Sequence, residues 1–158
     1  MKNFFEIFAL PASFALDLDD LEKKHLAFQQ QFHPDNSSSA DIEKSILVND
    51  AYKILSAPIS RASYILLLNG VDLENDSAAP KVDQATLLEI LELQEGLAEM
   101  DASAAENLKK ELGTKIKSLL VEVALELENK AFTKAAQILI KAKYFDKTLK
   151  DLKAKRKG

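Results

Sequence analysis

The chain has 158 residues, no cysteine, and 21 basic against 25 acidic residues, for a formal net charge of -4 at pH 7. Its 47% hydrophobic content suffices to pack one medium domain or two small ones. Without cysteine there is no disulfide, no thiolate nucleophile and no thiolate ligand for zinc or an iron-sulfur cluster, and the acidic balance argues against a general nucleic-acid binder.

No apolar run approaches the roughly 20 residues that would span a bilayer. The start Met1-Lys2-Asn3-Phe4 lacks a signal-peptide pattern, so a cytoplasmic protein is expected, with neither membrane nor nucleic acid among its partners. In the first periodic segment Leu18, Leu21, His25, Phe28 and Phe32 recur at spacings of three and four, one face of an amphipathic helix that Asp17 is placed to cap.

His33-Pro34-Asp35 follows. Proline has no backbone donor and pushes the residue before it out of helical conformation, so His33 is the last helical residue or the first of a loop, and its imidazole and the Asp35 carboxylate are expected to face water. Taken alone the triplet is equally a loop with a helix-capping aspartate. Beyond the serines Ser37 to Ser39, the residues Ile46 or Leu47, Ala51, and Ile54 or Leu55 spell a second amphipathic helix, started by Asp41 and stopped near Pro58. Two such helices form an antiparallel hairpin with the triplet at its tip.

After Asn69-Gly70 the polar stretch 71–80, which ends in Pro80, marks a linker. The expected division is 1–72, a linker at 73–83, and 84–158. In the last part, segments 84–100, 104–129 and 131–152 read as helices, separated at Asp101, Ser103 and Asn129-Lys130. Short connections favour antiparallel neighbours, so this half is a three-helix bundle and the fold class is all-α. At about 100° per residue, Ile90, Leu93, Leu97 and Met100 form the core stripe of the bundle's first helix. Leu88 and Leu91 point opposite, Leu87 lies at the edge, and Glu92, Glu95 and Glu99 share the Leu88 and Leu91 face. That face is either an apolar patch with an acidic rim or leucines packed on a neighbour beside solvated glutamates. The basic end, Lys147, Lys150, Lys153, Lys155, Arg156 and Lys157, reads as a solubilising helix terminus, with an acidic or phosphate-bearing partner as the lesser alternative.

An enzyme is not expected. Pro34 holds His33 and Asp35 apart on an exposed loop where water is hard to exclude. His25 shares a face with Leu21 and Phe28, as a core or boundary histidine does, and no ligand set for a metal lines up. No cofactor is called for.

The order helix, His-Pro-Asp loop, helix resembles the J-domain family, whose members activate the ATPase of DnaK-type chaperones. Phe4-Phe5-Glu6-Ile7-Phe8-Ala9-Leu10-Pro11 is similar to that family's aromatic first helix and Leu-Pro turn. Asn49-Asp50-Ala51-Tyr52-Lys53-Ile54-Leu55, then Pro58, Arg61-Ala62, Tyr64 and Leu66-Leu67, resemble the HscB branch, which is dedicated to iron-sulfur cluster assembly. The likeness continues through Tyr64 to Gly70 and from Leu87-Leu88-Glu89 to Glu99, and spans about Phe4 to Leu149.

This resemblance implies a co-chaperone that stimulates a dedicated HscA-like DnaK-type chaperone and delivers an IscU-like scaffold to it. A general folding co-chaperone with another client is the alternative. It implies chaperone contacts through His33, Pro34 and Asp35 and the preceding helix, and scaffold contacts through Leu87, Leu88, Leu91, Glu92, Glu95, Glu99 and Tyr144. One departure stands out. Where most J-domains carry several basic residues on that helix, this one offers Lys23 and Lys24, then Gln29, Gln30, Gln31 and, past the triplet, Asn36. Weak electrostatic steering and a single dedicated partner are expected.

Overall fold

The computed structural model describes residues 2–32, 39–75 and 81–155, and all regular structure among them is helical. The seven helices among the described residues are α1 (Phe4–Ile7), α2 (Leu18–Gln31), α3 (Ser39–Ser56), α4 (Pro58–Leu68), α5 (Gln84–Leu97), α6 (Ala102–Glu128) and α7 (Phe132–Lys155). They fall into two compact units, Met1–Ile65 and Leu66–Gly158. The second therefore takes in the last turn of α4 and residues 69–75.

Local chemistry sets the ends. Asn3, Asp17, Asp83 and Asp101 each accept an amide three residues ahead and so cap α1, α2, α5 and α6. At the end of α4, Gly70 takes φ +84, and the Val71 amide reaches the Leu66 carbonyl at 2.8 Å, the left-handed terminus that glycine adopts without Cβ strain. Lys130 plays that role after α6 with φ 59, and the Ala131 amide donates to the Glu126 carbonyl at 2.9 Å.

The first unit packs α1 and α2 against α3. Its core mixes aliphatic residues, Leu21, Val48, Ala51 and Leu55, with rings: Phe5 and Phe8 are fully buried. His25 stacks on Tyr52 with 4.0 Å between centroids and meets the edge of Phe8, and its Nε2 lies 2.9 Å from Asn49 Oδ1. Tyr64 stacks on Phe4 at 4.5 Å, and its hydroxyl accepts the Phe4 amide.

Arg61 is buried. Its Nη1 donates to the Leu55 carbonyl at 2.9 Å, its guanidinium lies 4.8 Å from the Phe14 ring centre, and its Nε has no hydrogen-bond partner among the described residues.

Four expectations change. Ile46 and Leu47 are exposed, and Val48 takes the core position. Leu18 is exposed too, because it opens α2 before the helix reaches its packing partners. Pro58 not only stops α3 but starts α4, where its fixed φ and missing donor suit a first helical position. Asp41 lies in the first turn of α3, which begins at Ser39.

In the second unit α6 packs along α7, and α5 packs on α7. Ile90, Leu108, Leu112, Ile116, Phe145 and Leu152 make its core, with Leu93, Leu97 and Met100 packed against them. The core stripe expected for α5 is the one the bundle buries.

Candidate functional site

His33, Pro34 and Asp35 lie outside the described residues, as does Asn36. The helix that leads to them does not. On α2 the core stripe Leu21, His25 and Phe28 turns Lys23 to the opposite, exposed side. Lys24 sits on the flank, where its ammonium lies 3.4 Å from Asp20 and 3.4 Å from the Ala9 carbonyl. An ammonium held this way has less freedom to meet a partner, so Lys23 is the more available of the two cations. Leu26, Ala27 and Gln30 complete an outward face that is nearly neutral.

The second face is on the bundle. Leu87, Leu88 and Leu91 of α5 are 45%, 54% and 52% exposed, and Tyr144 of α7 is 40% exposed. Three large apolar side chains within five residues of one helix cost solvation free energy that the isolated chain does not recover. Glu92, Glu95 and Glu99 are exposed as well, and none of them is ion-paired among the described residues. The α5 glutamate that is paired is Glu89, bonded to Lys115 and Lys141.

The start of α5 is fixed by Asp83, whose Oδ1 accepts the Thr86 amide at 2.7 Å. Hydrogen bonds from the Thr86 side chain and amide hold the Asp83 carboxyl below the usual carboxylate range. A small desolvation effect opposes this, and nearby Lys141 reinforces it.

Sequence reading passes over Glu89, Lys115 and Lys141, because pairing between helices remote along the chain leaves no periodic trace. Among the described residues no group of His, Cys, Asp or Glu is arranged to hold a metal ion. No helix among them is long and apolar enough to cross a membrane.

The same architecture recurs in known structures. Human co-chaperone protein HscB superposes with a TM-score of 0.88 at 30% identity, covering 99% of this chain and 83% of that one. Chaperone HscB from Vibrio cholerae gives 0.84 at 26% identity, covering 99% and 98%. A J-domain joined to a helical bundle in this order defines a two-part, all-helical co-chaperone. Residues 82–153 match the family described as the HscB C-terminal oligomerisation domain, and the HscB homologue of Vibrio campbellii is 34% identical over 157 residues, 92% of this chain and 91% of its own. The chain belongs to the HscB family.

Proposed function

We propose that this protein activates the ATPase of a dedicated DnaK-type chaperone of the HscA kind and delivers to it an IscU-like scaffold on which iron-sulfur clusters are assembled. In this reading residues 1–72 dock the chaperone, 73–83 link, and 84–158 bind the scaffold, in the cytoplasm. The observation that carries it is the outward apolar face of α5 on an HscB-family bundle: Leu87, Leu88 and Leu91 each leave about half of their surface in water, beside exposed Glu92, Glu95 and Glu99. Such a face fits a protein partner with an apolar contact and basic surroundings.

The protein performs no chemistry of its own. A chaperone holding ATP hydrolyses it slowly until its competent conformation is favoured, and a J-domain accelerates it only by binding that conformation better than the resting one. His33, Pro34 and Asp35 supply that preference, with Asp35 meeting a chaperone cation and the outward face of α2 lying alongside. The near-neutral character of that face, with Lys24 already engaged, favours one dedicated chaperone over a general one.

Two variants test the reading. Asp35→Ala should cost about 2 to 5 kcal/mol of docking and abolish stimulation of the chaperone's ATPase at micromolar concentrations, with folding intact by circular dichroism. Pull-down should then show Asp35→Ala losing the chaperone alone and Leu88→Ala/Leu91→Ala losing the scaffold alone. Wild-type stimulation by Asp35→Ala would overturn the chaperone role. Retention of the ATPase effect with a client other than the scaffold would favour a general folding co-chaperone.

A further inference from the structure

Among the described residues, Glu89 is the one α5 glutamate whose carboxylate is shared between two other helices. Its Oε1 lies 3.2 Å from Lys115 Nζ of α6, and its Oε2 lies 3.5 Å from Lys141 Nζ of α7. Both ammonium groups also approach the ring of buried Phe145, at 5.7 Å and 5.8 Å from its centre. An α5 carboxylate, two cations and a core ring therefore meet at one point, on the residue next to Tyr144.

The first half of α5 needs such a fastening. Within it only Thr86 and Ile90 are buried, since Leu88 and Leu91 turn away from the bundle core and Leu87 lies at the edge. At about 100° per residue Glu89 sits on the flank between the core stripe and the outward face, where a side chain reaches neighbouring helices without taking core volume. Lys141 also stands near enough to Asp83 to act on its carboxyl, so the same cation serves the helix cap and Glu89.

The geometry points to Glu89 as a positioning residue: through Lys115 and Lys141 it fixes the first half of α5 on α6 and α7, and thereby the place of Leu87, Leu88 and Leu91 relative to Tyr144. This rests on the scaffold-docking reading of that face. Its ion pairs are part-exposed, so the effect is graded rather than absolute.

The test measures scaffold affinity by calorimetry and amide hydrogen exchange of the free protein. Glu89→Gln should weaken scaffold binding roughly two- to fivefold, the scale of part-exposed ion pairs, and accelerate exchange at residues 87–91 while α6 and α7 are unaffected. Lys115→Met/Lys141→Met separates positioning from direct contact. If Glu89 positions the helix, this variant also binds more weakly. If Glu89 instead meets the scaffold itself, freeing its charge tightens binding, and that result overturns the inference. Unchanged exchange at 87–91 in Glu89→Gln overturns it as well, with no partner involved. A wild-type protein that binds no scaffold overturns the functional reading instead.

Discussion

The two units hold their helices together by different means. In the first, rings with polar edges do much of the work: His25 stacks on Tyr52 and bonds Asn49, and Tyr64 stacks on Phe4 and accepts its amide. Each contact fixes orientation as well as distance, because the hydrogen bond specifies which edge points where. In the second, the core is aliphatic apart from Phe145, and α5 joins it through one narrow stripe. The difference teaches how each half presents its proposed docking face. An oriented aromatic core keeps α2 and α3 in register, whereas a narrow aliphatic stripe leaves most of α5 free to carry apolar side chains outward.

The sharpest way to break that contrast is to cut on each side of α5. Leu88→Ala/Leu91→Ala should lower scaffold affinity on the order of 100-fold or more, as loss of two central apolar contacts does, while the melting temperature stays near wild type. Leu112→Ala, at a fully buried core position, should do the reverse and cost about 2 to 5 kcal/mol of stability. Leu93→Ala should fall at the low end of that range or below it, since Leu93 is only half-buried. If the double variant unfolds as readily as Leu112→Ala, the two leucines belong to the core.

A second cut falls in the first unit. His25→Ala removes the stack on Tyr52 and the bond to Asn49 together and should destabilise this unit by about 2 to 4 kcal/mol. Hydrogen exchange resolved by residue would show faster opening of α2 and α3 with α6 and α7 protected as before. Equal loss in both units would mean that they unfold as one.

Salt sharpens the comparison further. Glu92, Glu95 and Glu99 are unpaired among the described residues, while α2 offers one freely exposed lysine in Lys23. Between about 0.05 and 0.5 M salt, scaffold affinity should fall clearly and ATPase stimulation much less, because the Debye length shrinks below the reach of a charged rim. The opposite ranking would show that the acidic face is not the scaffold's.

The smallest effect is a pH step at α5. The folded Asp83 carboxyl is held below its ordinary value, so its capping contribution is complete above the unfolded pKa near 3.9 and is lost as pH falls through the lower folded value. First-turn amides of α5 should therefore lose protection, relative to their intrinsic exchange rates, below about pH 4. Asp83→Asn caps without titrating and should abolish the step.

Much of this architecture is legible in the sequence because it rests on local rules. Asp17 announces a helix start, Asp101 marks the break before α6, and Ile90, Leu93, Leu97 and Met100 name the buried side of α5 by spacing alone. Consecutive apolar residues are harder. Ile46, Leu47 and Val48 lie 100° apart on a helix at about 3.6 residues per turn, and only the spacing of three and then four to Ala51 and Leu55 singles out Val48. The exposure of Leu87, Leu88 and Leu91 follows from the wheel once the core side is known. Glu89 does not: whether a glutamate is solvated or shared by two lysines 26 and 52 positions away depends on how three helices come together.

The buried Arg61 has a consequence for the corner between α3 and α4. Its guanidinium bonds a carbonyl in the last turn of α3, the negative end of that helix, and burial lowers its pKa without bringing a guanidinium near neutrality. The charge that closes this corner is thus permanent. A lysine there would supply an ammonium that burial can neutralise, and its flexible stem would lie on the Phe14 face without the planar stacking of arginine. The corner would then loosen with rising pH, whereas the Arg61 guanidinium keeps its charge in mildly acidic and alkaline surroundings alike.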